Sequence, residues 1–102
     1  MFISGGVNVY PAEIENLLLQ HPAIQDAAVL GVPDAKWGEI GVAFLVARAE
    51  VKEADVLTFL ERKLARYKLP RALYFREALP RTPYGKVVKP ELRQWYQERQ
   101  LQ

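Results

Sequence analysis

The stretch Leu79-Pro-Arg-Thr-Pro-Tyr-Gly-Lys-Val-Val-Lys89 holds the residues best suited to chemistry in this chain. Pro80 and Pro83 cannot donate backbone hydrogen bonds, so they disfavour regular helix or strand through it. Thr82-Pro83-Tyr84-Gly85 has Pro in the second place and Gly in the fourth, the preferences of a type I turn. Lys86 follows, between Gly85 and the β-branched pair Val87-Val88. The backbone is expected to be held while the lysine stem reaches outward. A compact ammonium on such an arm suits a ligand whose negative charge moves during reaction. The alternative is a solvated lysine beside a hairpin turn.

A second candidate is Ser4-Gly5-Gly6. Paired glycines permit positive φ and the close approach of another backbone or a ligand. Read alone, they are also what a tight turn requires.

Elements to position these residues can be traced along the chain. Phe2 and Ile3 suggest a short strand, and Val7 to Tyr10 is extended ahead of Pro11. Pro11 opens a helix whose stripe is Ile14, Leu17 and Leu18, with Glu13 and Glu15 near its positive end. His21-Pro22 ends it, and His21 reads as a helix-end residue rather than a catalyst. Ala23 to Val32 reads as a strand in which Asp26 interrupts one face. Pro33-Asp34 to Trp37-Gly38 is a loop. Ile40 to Arg48 is the clearest strand. Ile40, Val42, Phe44 and Val46 give a bulky face; Gly41, Ala43, Leu45 and Ala47 give a small one. With no polar face it is expected at the centre of the sheet, covered on both sides. Glu53 and Asp55 start a second helix with the stripe Val56, Leu57, Leu60, Leu64 and Tyr67. Its basic residues Arg62, Lys63 and Arg66 read as a solvated face. Ala72 to Arg76 is a short strand. Lys89-Pro90-Glu91 starts a last helix with Leu92, Trp95 and Tyr96 inward, and residues 97–102 are expected to fray. The pattern predicts an α+β fold: a small β-sheet with helices packed on it, as one domain over residues 1–102.

The 102 residues carry no Cys and one His, which excludes disulfides, thiolate metal sites and histidine metal sites, and no metal is expected here. A formal net charge of +2 with mixed signs gives little footing for nucleic-acid binding. No apolar run is long enough to span a bilayer, and no secretory pattern opens the chain, so a cytoplasmic protein is expected.

Four segments fall in the order of one known pattern: Ile3-Ser-Gly-Gly-Val-Asn-Val-Tyr-Pro-Ala-Glu-Ile-Glu15; His21-Pro22 with Gly31-Val-Pro-Asp34 and Gly38-Glu39; Leu64-Ala-Arg-Tyr-Lys-Leu-Pro70; and Leu79 to Lys86 with Leu92-Arg93. Together they resemble the C-terminal lid domain of adenylate-forming enzymes, specifically acyl-CoA synthetases. The resemblance implies a two-step reaction. A carboxylate attacks the α-phosphate of Mg-ATP, and the thiol of CoA then displaces AMP. It implies that Lys86 is the adenylation lysine, offsetting repulsion between carboxylate and phosphate, with Gly85 giving its loop room to fit and Arg81 supporting phosphate contact or else serving at the surface. It implies that Ser4, Gly5 and Gly6 line the channel for the thiol arm, and that Trp37 and Tyr67 contact the CoA nucleotide. Leu69 departs from a position that is basic in some CoA-using relatives. Glu13, Glu15, Asp34, Glu39 and Arg93 match the pattern as structural residues.

The chain has no Gly/Ser/Thr-rich phosphate loop and too few residues for acyl and adenine pockets. ATP, Mg2+ and the carboxylic acid, a fatty acid by general similarity, are therefore expected in an N-terminal adenylate-binding domain. The family's hinge would lie just before Met1. Alone, the chain is expected to form no thioester. A non-catalytic interaction module with the lid fold, and a lid serving a carrier-protein thiol, are the alternatives.

Overall fold

Val42-Ala43-Phe44-Leu45-Val46 has no polar side chain on either face, and it becomes the buried middle of the central strand. The computed structural model describes residues 1–100. In chain order the elements are β1 (Phe2–Ser4), β2 (Val7–Val9), α1 (Pro11–Leu18), β3 (Ile24–Asp34), β4 (Gly38–Ala47), α2 (Glu53–Glu61), a single 3-10 turn (Arg66–Lys68), β5 (Ala72–Phe75) and α3 (Lys89–Gln100). β3 and β4 form a long antiparallel hairpin, from Asp34↔Gly38 to Ile24↔Ala47. β1 meets β4 at Ser4↔Gly38, and β5 runs parallel to β4 from Val42↔Ala72 to Leu45↔Phe75. The result is an α+β sheet with helices on it.

The two faces of β4 bury two separate cores, as its sequence predicts. The small face, Ala43 and Leu45 with Val29, lies under Ile14 and Leu18 of α1 and Val56 and Leu60 of α2. The bulky face, Val42, Phe44 and Val46 with Ala28 and Leu30, is covered by Leu79 and by Leu92 and Trp95 of α3.

β3 runs two residues beyond its expected end, through Pro33. Its odd-numbered residues turn their backbone groups away from β4. The Val29 N–H donates to Glu15 Oε2 at 2.8 Å, and the Gly31 carbonyl accepts from Arg93 Nη2 at 3.1 Å. Pro33 shares that outer side, so its missing N–H costs no ladder bond. Glu15 and Arg93 also satisfy an edge that would otherwise invite another strand.

Three expectations need correction. The α2 stripe does not continue to Tyr67: α2 stops at Glu61, Ala65 is extended at ψ 148, and Tyr67 is 50% exposed on the 3-10 turn. Leu64 keeps its core contact, whereas Lys68 is drawn to Glu13 of α1 at 2.9 Å, which turns Tyr67 outward. α1 stops at Leu18, and the N–H groups of Leu19, Gln20 and His21 turn back to carbonyls of its last turn. His21 sits at that end, its Nδ1 accepting from the Ala23 N–H at 3.1 Å. Finally, α3 continues through Gln100 where fraying from residue 97 was expected; residues 101 and 102 lie outside the described residues. Among the described residues no helix is long and apolar enough to cross a membrane.

Candidate functional site

The segment around Lys86 folds as a miniature hairpin. The Gly85 N–H donates to the Thr82 carbonyl at 2.9 Å, closing the turn expected from Thr82-Pro83-Tyr84-Gly85. Among the described residues no non-glycine residue has positive φ, so Tyr84 cannot take the type II place, and Gly85 itself lies at φ +86. A three-residue loop of a type I turn followed by a left-handed glycine is a favoured hairpin connection. Thr82 N–H donates to the Lys86 carbonyl at 2.8 Å, Lys86 N–H to Thr82 Oγ1 at 3.2 Å, and Val88 N–H to the Pro80 carbonyl at 2.8 Å. Arg81 and Val87 bridge below the loop. The backbone of Lys86 is thus held at both its N–H and its carbonyl.

The side chain of Lys86 is exposed, and among the described residues no carboxylate lies within ion-pair distance of its ammonium. Tyr84 beside it is 97% exposed. Arg81 is engaged within the chain: one nitrogen donates to the Gly85 carbonyl and another to Asp26 Oδ2.

Ser4, Gly5 and Gly6 form the other candidate. Ser4 pairs with Val7, so Gly5-Gly6 is a two-residue hairpin loop. Both glycines have positive φ, +58 and +81, as a type I′ turn demands. Space differs between them. A Cβ on Gly5 would lie 3.0 Å from Cε3 of Trp37, whereas one on Gly6 would meet nothing within 4 Å. Gly5 therefore makes room for an indole, and the backbone of Gly6 is bare to solvent.

Trp37 is set by its own loop. Asp34 Oδ2 accepts from the N–H groups of Lys36 and Trp37 at 3.0 and 2.9 Å. Glu39 Oε1 accepts from the Ile3 N–H at 3.1 Å, fixing β1 beside it. These contacts give Asp34 and Glu39 the structural roles expected of them.

A cleft of about 730 Å³ opens here, within the ordinary range for ligand sites. Ser4, Gly5, Trp37 and Tyr67 all line it; Gly6 does not. The family resemblance tied those four residues to one ligand, but nothing in their spacing along the chain brings them together. It also missed two cations in the lining, Arg66 and Arg71. Arg66 read as part of a solvated helix face, but α2 ends before it. Arg71 follows Pro70, and its guanidinium lies 5.3 Å from the Trp37 ring centroid. Leu69 and Pro70 supply apolar wall. Two guanidinium groups against one carboxylate, Glu61, beside two exposed aromatic rings suit an anionic ligand carrying a flat ring system.

The two candidates stand at opposite ends of the β3–β4 hairpin. Ser4 pairs with Gly38, which pairs with Asp34; Arg81 is held by Asp26, which pairs with Val46. Asp26 to Asp34 at about 3.3 Å per residue separates the ends by roughly 26 Å. That is most of the molecule's 35 Å length. Among the described residues no group of three His, Cys, Asp or Glu could hold a metal ion.

The profile described as AMP-binding enzyme C-terminal domain matches residues 13–86. The chain is 50% identical over 97 residues to a long-chain-fatty-acid–CoA ligase of Mycobacterium tuberculosis, covering 94% of this chain and 19% of the relative. It is 49% identical over 98 residues to a 2-succinylbenzoate–CoA ligase of Bacillus cereus, covering 96% and 20%. Among solved structures, the Mycobacterium tuberculosis fatty acyl CoA synthetase superposes with TM-score 0.89 at 50% identity, covering 94% of this chain and 19% of that one. ATP-bound MatB from Rhodopseudomonas palustris does so with TM-score 0.89 at 42% identity, covering 94% and 20%. The chain spans about a fifth of the length of the curated relatives it matches.

Proposed function

The chain belongs to the AMP-binding enzyme C-terminal domain family of the acyl-CoA synthetases, and on that premise we propose that it is the mobile lid of an ATP-dependent acid–thiol ligase. Its partner is an N-terminal adenylate-binding body that holds ATP, Mg2+ and the carboxylic acid. The lid acts twice, with a different end each time.

In the first half, Lys86 is presented to the body. Carboxylate and α-phosphate are both anionic, and a positioned ammonium offsets their repulsion and the charge that gathers in the transition state. The held backbone around Thr82 and Gly85 keeps that cation aimed, and the closed lid excludes water from the adenylate. In the second half, the end carrying Ser4, Gly5 and Gly6 turns inward. The bare turn leaves passage for a thin thiol arm, while Trp37, Tyr67, Arg66 and Arg71 offer ring faces and cations to the nucleotide of CoA. The acid is read elsewhere: a relative named for a long-chain fatty acid and one named for succinylbenzoate are 50% and 49% identical to this chain.

The observation carrying this reading is the separation of an exposed, backbone-held lysine from a cationic aromatic cleft by the length of one hairpin. It is tested by joining this chain to the body of the Mycobacterium tuberculosis relative in place of the matching residues. Acyl-adenylate formation and thioester formation are then measured separately. Both should recover relative to the body alone. The reading is wrong if reattaching the relative's own lid restores turnover and this chain restores neither half.

A further inference from the structure

Asp26 is an acid on a sheet face whose following residues, Ala28 and Leu30, are buried. The register of β3 against β4 shifts between Ile24 and Asp26, leaving Gln25 without a partner. Such a bulge re-aims the side chain beside it. The carboxylate of Asp26 has two partners. One oxygen accepts from the Ala27 N–H at 3.0 Å, which fixes its orientation, and the other accepts from Arg81. A second nitrogen of Arg81 donates to the Gly85 carbonyl, immediately before Lys86. The rigid fork of a guanidinium holds both acceptors in one geometry, which a lysine could not.

The other leg of the loop is tied in the same way. Lys89 Nζ lies 2.9 Å from Glu15 Oε2, the oxygen that accepts the Val29 N–H. Thus the incoming leg is fastened at Arg81 to one end of β3, and the outgoing leg at Lys89 to its edge.

We infer that Asp26 is a positioning residue for Lys86: through Arg81 it sets the turn on the sheet and so aims the ammonium during adenylation. This rests on the reading of Lys86 as the adenylation lysine, and it assigns Arg81 inward, to Asp26 and Gly85, instead of to phosphate. A misplacement near 1 Å can cost about a hundredfold in rate. Loss of the clasp should therefore slow one half-reaction without touching the distant cleft.

Two measurements test it. The first uses the 102-residue chain as it stands. Asp26→Asn and Arg81→Gln should each raise the fast backbone mobility of residues 82–87, read by nitrogen-15 relaxation, and leave Gly5 and Gly38 unchanged. Unchanged loop mobility, or a rise spread evenly over the sheet, would overturn the inference. The second uses the chain joined to an adenylate-binding body, with Lys86→Ala alongside. Each clasp variant should slow adenylation by roughly tenfold to a hundredfold at unchanged KM for ATP. Thioester formation from supplied adenylate should stay at its original rate. A raised KM for ATP in Arg81→Gln with a silent Asp26→Asn would overturn it in favour of direct phosphate contact. If Lys86→Ala itself spares adenylation, the parent reading fails; if it abolishes adenylation while both clasp variants are silent, only the positioning role fails.

Discussion

Gly5 donates its N–H to the carbonyl of Trp37 at 2.8 Å, and the missing side chain of one is the space filled by the ring of the other. Replacing Gly5 by Ala sets a methyl group 3.0 Å from the indole in a left-handed conformation. The conformation alone costs about 1–2 kcal/mol. The indole must also give by a few tenths of an ångström. In the assembled enzyme, Gly5→Ala should raise the KM for CoA in thioester formation and leave adenylation unaltered. Equal slowing of both halves would remove the assignment of this turn to the thiol step.

Lys86→Ala should have the opposite signature. Removing one preorganised stabilising group costs roughly a hundredfold to a thousandfold in rate. Adenylation should fall by that much, while acyl transfer from supplied adenylate to CoA persists. Because Lys86 is exposed and its backbone bonds do not need its side chain, the melting temperature should barely move. A large drop in stability would show that the lysine serves the fold.

On the proposed reading, Arg71 should separate a nucleotide-bearing thiol from a bare one. Its guanidinium lies over Trp37 in the cleft, where a phosphate could be bound. Arg71→Ala should raise the KM for CoA by roughly tenfold and leave the KM for pantetheine, which has no nucleotide, as it was. Equal effects on the two thiols would favour a carrier-protein thiol or a purely structural arginine.

The core of the fold was legible because it is written in local periodicity. Val42 to Val46 is apolar on both faces whatever the partners, and the stripes Ile14-Leu18 and Val56-Leu60 follow from helical spacing alone. The turn at Thr82 to Gly85 was legible from Pro and Gly preferences. The clasp was not: Asp26 and Arg81 stand 55 residues apart, and nothing local in either announces the other. The only trace was an acid interrupting an apolar face. Tyr67 was misread for a related reason. Its spacing from Leu64 is helical, but Ala65 is extended, and the pull of Glu13 on Lys68 comes from another helix.

Phe2 and Gly41 give a test of packing. A Cβ on Gly31 would fall 2.5 Å from Cβ of Phe2, and one on Gly41, its partner across the hairpin, 2.9 Å from the ring tip. The ring of β1 thus lies on a floor of two facing glycines. Gly41→Ala should destabilise the fold by about 1–3 kcal/mol through overpacking. Phe2→Ala should cost about 3–5 kcal/mol through the cavity it leaves. The double variant should be more stable than the sum of the two losses, since the methyl at position 41 no longer has a ring tip to meet. Additive losses in denaturant titrations would show that Gly41 is required for another reason.

Alkaline pH should weaken the fold through two groups whose shifts share a sign. The Tyr96 hydroxyl is raised above its ordinary value, first by burial and then by the charges of Tyr74 and Asp34. Lys68 is raised above its ordinary value, first by its hydrogen bond to Glu13; partial burial opposes this, and the charges of Glu13 and Tyr67 add to it. In both cases the folded chain holds its proton more tightly than the unfolded chain. Their contribution is therefore complete below the unfolded values, near pH 10, and is lost as pH climbs through the folded ones. Denaturant titrations at about pH 8 and pH 11 should show stability falling over that interval. Tyr96→Phe keeps the ring against Tyr74 but cannot ionise, so its stability should fall less over the same interval. Lys68→Gln should do likewise, and it should also loosen the 3-10 turn that carries Tyr67 into the cleft. Parallel pH profiles for the parent chain and both variants would contradict this account of the two protons.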